Sequence, residues 1–301
     1  MRSRRVGVAT FHRLLAEHGT AQAALAALPE IARAAGVDSY EPCPAGVAAA
    51  EMRAARKAGA RLVCLGDPDY PADLAQVADA PPVFWLCGDA ALLARPMVAL
   101  VGARNASSLG GRMGRALAEG LAAAGLVVVS GLARGIDTVA HRAALPGGTV
   151  AVMAGGLDVI YPPENEALAA EIAAKGALVS EQPFGLAAQA RHFPLRNRII
   201  SGLSRAIVVV EAAAGSGSLI TARTALDQGR EVMAVPGHPF DARAGGCNQL
   251  IRDGAMLVRG AQDVLAVLGI AAESPAGTRL PAPGAAVPQS ARHPARGHAP
   301  D

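Results

Sequence analysis

Lysine is nearly absent from this chain of 301 residues: its 28 basic residues are 26 arginines plus Lys57 and Lys175. High-GC codon usage accounts for that bias first, and bidentate recognition of phosphate or carboxylate is the chemistry it favours. Aromatics make up only 3%, which argues against modules that hold single strands mainly on aromatic platforms, such as OB folds or RRMs. The four cysteines, Cys43, Cys64, Cys87 and Cys247, form no C-x-x-C pair, so neither a disulfide framework nor a zinc site is indicated. No apolar run reaches the roughly 18 residues of a membrane span, and the start, Met-Arg-Ser-Arg-Arg-Val, lacks a signal-peptide core. A cytoplasmic protein without membrane contact is expected. The net charge of +3 is too small for affinity by bulk charge, so a polyanion needs a local patch.

What is present is 51% apolar residues, enough for a substantial core. Residues 1–60 are Ala-rich with helical spacing (Phe11, Leu14, Leu15, then Ala24, Leu25, Leu28), punctuated at Gly19-Thr20 and Pro29, and predict a small helical domain. Residues 61–96 carry two short apolar strands between Pro-rich turns and five aspartates against two arginines, the pattern of an acidic linker packed on the main domain. From Met97 to about residue 270, short β-branched strands alternate with helices, the strands falling at 97–101, 126–130, 149–153, 177–180, 206–210, 231–235 and 255–258. Such alternation predicts an α/β fold, a doubly wound, mostly parallel Rossmann-like sheet with ligands at the carboxyl ends of its strands. Residues 271–301, rich in Pro, Ala and Gly, are expected to be disordered.

The stretch from 191 to 221 organises the rest. Arg191, Arg196, Arg198 and Arg205 lie between Glu181 and Glu211 with no carboxylate among them, which predicts an uncompensated positive patch. After the strand at 206–210, Gly215, Ser216, Gly217, Ser218 and Thr221 lead into a helix and aim backbone N–H groups and hydroxyls at one point, an anion cradle. Arg104 stands in the turn after the first core strand, where a G-x-G-x-x-G turn needs its second glycine, so a dinucleotide is not expected. Arg104 is placed to grip a phosphate; the alternative is a structural arginine. In Ser130-Gly131-Leu132-Ala133-Arg134-Gly135-Ile136-Asp137 the acid reads as a helix N-cap, with His141 packing on it or bonding to it. Asp158 and Tyr161 sit in the next loop, and His238 in a Pro/Gly loop takes no role.

These motifs, Val101-Gly102-Ala103-Arg104, Ser130 to Asp137, Gly156-Leu157-Asp158 with Tyr161-Pro162 and Asn165, Phe193 to Ile200, and Ser216 to Ala222, occur in the order found in the DNA-processing protein A (DprA/Smf) family, which the chain resembles over residues 1–270. The resemblance implies an extended Rossmann fold that binds single-stranded DNA at the strand ends, forms a homodimer, helps load a RecA-type recombinase in natural transformation, uses no cofactor and is no enzyme. Carried onto this sequence, it implies DNA contacts at Arg104, Arg134, Arg196, Asn197 and Arg198, with Gly102, Ser130 and Gly131 giving backbone approach. Phe193 would stack a base, and Ser216, Gly217, Ser218 and Thr221 form the cradle. Pro163 stands where some relatives carry a lysine, and the Ala/Pro-rich tail stands where many carry a winged-helix domain. The rival is a nucleotide phosphoribohydrolase of the LOG or lysine-decarboxylase-like type. Its Pro-Gly-Gly-x-Gly-Thr-x-x-Glu segment is missing, since the matching helix, Gly217 to Arg223, contains no acid. An NAD-dependent oxidoreductase is disfavoured by Arg104.

Overall fold

A computed structural model describes residues 1–271; the tail expected to be disordered lies, from residue 272, outside the described residues. Three helices come first, α1 (Val8–His18), α2 (Ala21–Ala34) and α3 (Ala45–Lys57). Thr20 caps α2, its Oγ1 accepting the Ala23 N–H at 3.1 Å. Pro29, expected to punctuate, lies inside α2, where it costs one ladder hydrogen bond without ending the helix. Leu14, Ala24 and Leu28 form a small apolar centre of their own.

The acidic stretch then supplies β1 (Arg61–Cys64), α4 (Ala72–Ala75) and β2 (Val83–Gly88). Its two strands pair antiparallel with each other, and β2 pairs antiparallel with the main sheet. The remaining chain runs β3 (Met97–Gly102), α5 (Ser108–Ala123), β4 (Val127–Ser130), α6 (Ile136–Ala144), β5 (Thr149–Val152), α7 (Glu166–Lys175), β6 (Ala177–Ser180), α8 (His192–Leu203), β7 (Ala206–Glu211), α9 (Ser218–Asp227), β8 (Glu231–Ala234), α10 (Gly245–Arg252), β9 (Met256–Leu257) and α11 (Ala261–Val267). The sheet order is β1-β2-β6-β5-β4-β3-β7-β8-β9. From β3 the chain winds outward through β4, β5 and β6, then returns to lay β7 on the other flank of β3. The loops after β3 and β7 therefore diverge, and a crevice opens between them.

Both faces of the parallel strands are covered, which is why they read as unbroken Val/Ile/Leu runs. Val101, Val129, Val152 and Val209 face α8, α9 and α10 through Ile199, Leu203, Ala222 and Cys247. Val98, Leu100, Val128 and Val208 face α5, α6 and α11 through Leu117, Leu121, Ile136 and Val264.

The N-terminal helices dock through polar bonds as well. Arg2 grips Glu51 of α3 with two hydrogen bonds of 2.8 and 2.6 Å and donates to the Glu181 carbonyl at 3.2 Å. The same Glu51 carboxylate accepts the Trp85 indole N–H of β2 at 2.7 Å. Among the described residues no helix is long and apolar enough to cross a membrane.

Candidate functional site

At the carboxyl ends of β3, β4 and β5, three loops and the first turn of α8 enclose a cleft of about 200 Å3 lined by Arg104, Asn105, Gly131, Arg134, Tyr161 and Phe193. Phe193 is its centre. The Arg104 guanidinium carbon lies 5.0 Å from the ring centroid and that of Arg196 lies 5.9 Å from it, both within cation–π range. The Tyr161 ring stands 5.9 Å away at 60°. An open aromatic surface flanked by guanidiniums suits a planar base bearing a phosphate.

The floor holds two buried ionisable side chains, Arg196 and Asp137, which attract each other without sharing a hydrogen bond. Arg196, 7% exposed, donates through Nη1 to the Val152 carbonyl at 2.8 Å, while its Nε has no partner. Gly131 makes that approach possible, because a Cβ there would sit 1.7 Å from Nη1. Burial pulls the Arg196 pKa down to about 10, opposed by the Asp137 charge, so it remains a cation at neutral pH. Burial pushes the Asp137 carboxyl up, and Arg196 works against that. Asp137 is not the N-cap of α6: Gly135 holds that position, and the carboxylate instead accepts the N–H groups of Gly131 at 3.1 Å and Ala133 at 3.2 Å. Those amides are thereby closed to an outside anion.

His141 bonds elsewhere than to Asp137. Thr149 gives its hydroxyl proton to the Val128 carbonyl at 2.7 Å, so His141 Nδ1–H donates to Thr149 Oγ1 at 2.7 Å and Nε2 accepts the Leu132 N–H at 3.3 Å. Asn165 Nδ2 donates to the Leu132 carbonyl at 2.9 Å. These bonds hold Leu132 at φ 55°, a left-handed conformation that a branched residue keeps only when its surroundings impose it. Burial, helped by Arg196, lowers the His141 pKa to about 3. A histidine titrating near 6.5 when unfolded and near 3 when folded contributes fully above pH 6.5, and that contribution falls as the pH drops through the interval. Wild-type stability in urea should therefore fall by about 1.4 kcal/mol per pH unit more steeply between pH 6 and 4 than that of His141→Gln. Parallel curves for the two proteins would remove His141 as the cause.

The other sequence candidates separate. Arg104 is exposed, and Arg134 at the cleft wall reaches Glu164 at 3.3 Å with both side chains largely in water. Asn197 is half-buried one residue past Arg196. Gly102 is packed under Ile136, and the Ser130 hydroxyl is buried against the Leu100 carbonyl at 2.7 Å, so neither faces the cleft. Arg198 is turned away, paired with Glu181 and lying 3.8 Å from Asp79. Arg205 reaches Asp73 at 3.5 Å. The patch expected to be uncompensated is thus neutralised in part, because Glu181 and the acids of the stretch before β3 fold onto it. The cradle after β7 does not line the cleft. Ser216 and Ser218 hydroxyls share a 2.7 Å hydrogen bond, Gly217 caps α9, and Thr221 is buried.

Sequence reasoning missed what occupies the switch point between β3 and β7. The Glu211 carboxylate accepts the Ser107 N–H at 3.2 Å and its hydroxyl at 2.7 Å, and a Cβ on Gly110 would fall 1.8 Å from it. An internal carboxylate sits where a dinucleotide would place its pyrophosphate at the start of α5. Anions at these strand ends are left to the guanidiniums. Among the described residues, no three metal-ligating side chains converge.

Known proteins similar to this chain fall in one family. A family model described as DNA recombination-mediator protein A matches residues 61–269, and one described as a DprA-like N-terminal HHH domain matches residues 1–54. DNA processing protein DprA of Streptococcus pneumoniae is 46% identical over 202 residues, which cover 66% of this chain and 71% of the relative. DprA of Bacillus subtilis is 43% identical over 216 residues, 71% of this chain and 73% of the relative. The X-ray structure of the S. pneumoniae protein matches with a TM-score of 0.70 at 35% identity, over 87% of this chain and 98% of that one. DNA processing protein A of Helicobacter pylori, whose structure was described for its single-stranded DNA binding mode, matches with a TM-score of 0.64 at 30% identity, over 69% of this chain and 95% of that one. With its sheet, its motifs and both family models in agreement, the chain belongs to the DNA recombination-mediator protein A family.

Proposed function

We propose that this protein is a DNA-processing protein that holds single-stranded DNA in the Phe193 cleft. Phosphates lie on Arg104 and Arg134, and a base stacks on Phe193 and Tyr161. The observation that carries the reading is the Phe193 ring, open to the cleft and flanked by guanidiniums at 5.0 and 5.9 Å. The single-strand binding described for the H. pylori relative supports it. Duplex DNA is bound less well, because a base must leave its stack to reach the ring. The DNA is held and handed over, not cleaved: the acid–base groups beneath the cleft, Asp137 and His141, are buried and committed to the loop. Protection of incoming DNA in transformation, a homodimeric state, a cytoplasmic site of action and transfer of the strand to a RecA-type recombinase complete the proposal, on the strength of the family resemblance.

The test is titration of fluorescent oligo-dT and the matching duplex across a salt series. Single-strand preference, with log affinity falling linearly in log salt, is the expected result. Equal and weak binding of both would overturn the reading, and release of free base from a nucleoside monophosphate would put the phosphoribohydrolase in its place.

A further inference from the structure

The geometry points to a second single-strand subsite at the switch point, reached from the cleft over the β3–α5 loop; it rests on the reading that the cleft takes DNA. Arg104 and Asn105 face the cleft, while Ser107 at the end of the same loop lines a separate crevice of about 540 Å3. On one side of it Leu109, Arg112 and Met113 project from the first turns of α5. The loop from Pro236 to His238 stands on the other, with Glu211 in the floor.

That second loop presents Phe240, 94% exposed, with the His238 ring 5.5 Å away. It is a braced loop. Asn248 accepts from Gly237 N–H at 3.1 Å and donates to its carbonyl at 3.0 Å, and the Phe240 N–H donates to His238 Nδ1 at 3.3 Å. An exposed ring on a braced loop that also carries Arg243 has the composition of a stacking platform.

The crevice is apolar and its acids are already met. Glu211 is hydrogen-bonded to Ser107 and lies 3.7 Å from Arg243, which also contacts Asp241 at 3.2 Å. Glu211 bars a phosphate from the start of α5, so bases enter the crevice while the backbone passes outside, along Arg112 and Arg243, both exposed. The occupant is therefore the continuation of the strand held at Phe193.

Oligo-dT of about 4 and about 16 nucleotides separates the two sites. The wild type is expected to bind the longer strand far more tightly. Phe240→Ala should bind the short strand normally and lose roughly tenfold on the long one. Arg112→Ala should flatten the salt slope for the long strand alone, by about 0.7. Wild-type affinity of Phe240→Ala for the long strand, or equal weakening for both lengths, would overturn the second subsite while leaving the cleft intact. Failure of the wild type to bind either strand would sink the cleft reading, and this inference with it.

Discussion

Arg104→Ala is expected to weaken oligo-dT binding about 30-fold, since one charge-assisted bond to phosphate is worth about 2 kcal/mol. Its salt slope should also fall by about 0.7, the signature of one lost phosphate contact on a single strand. Phe193→Ala should cost a similar factor, about 1–3 kcal/mol for a stacked base, with the slope unchanged. Arg198→Ala supplies the contrast. Its guanidinium is paired with Glu181, so its loss strands a buried carboxylate and reduces fold stability by about 3 kcal/mol or more, without altering the slope. Fluorescence anisotropy over a salt series, alongside urea unfolding, reads both quantities. If Arg104→Ala binds as the wild type does while Arg198→Ala loses slope, the strand lies elsewhere.

The largest effect on stability is expected from Asp137→Ala. The substitution leaves the Gly131 and Ala133 N–H groups without their acceptor and removes the carboxylate whose charge opposes the effect of burial on Arg196. Each buried donor left unsatisfied costs about 1–3 kcal/mol, and two of them make a large share of the stability of an ordinary domain. Adding Arg196→Met to Asp137→Leu should recover only part of the loss in a urea midpoint, because the lone buried cation is gone while the two N–H groups stay unpaired. An Asp137→Ala protein within about 1 kcal/mol of wild type would show that the carboxylate does not hold this loop.

The sheet was legible because its strands are buried on both faces and leave unbroken β-branched runs such as Ile207 to Val210. Helix α8 was not. Pro194 and the arginines mask its period, and its buried side mixes His192, Arg196 and Ser201 with Ile199, Ile200 and Leu203. Charge balance was equally hidden. Arg205 meets Asp73, 132 residues earlier, and although Glu181 lies only 17 residues before Arg198, the sequence does not show that the two side chains turn towards each other. Arg104, Phe193 and Arg196 could be named from motif order, yet only the folded chain shows that Gly131 is a glycine to admit a guanidinium. Only there, too, does Glu211, 104 residues from Ser107 in sequence, come to fill the switch point.

The chain contains a single tryptophan, and its indole is the one bonded to Glu51. Trp85 is 3% exposed on β2, against the N-terminal helices and outside the set of residues lining the cleft. Intrinsic emission is therefore a reporter on the seam between the helical domain and the sheet. It should shift red when that seam opens and stay constant when the cleft fills. Label-free fluorescence can thus follow domain undocking in the presence of DNA, with the two events on separate optical channels.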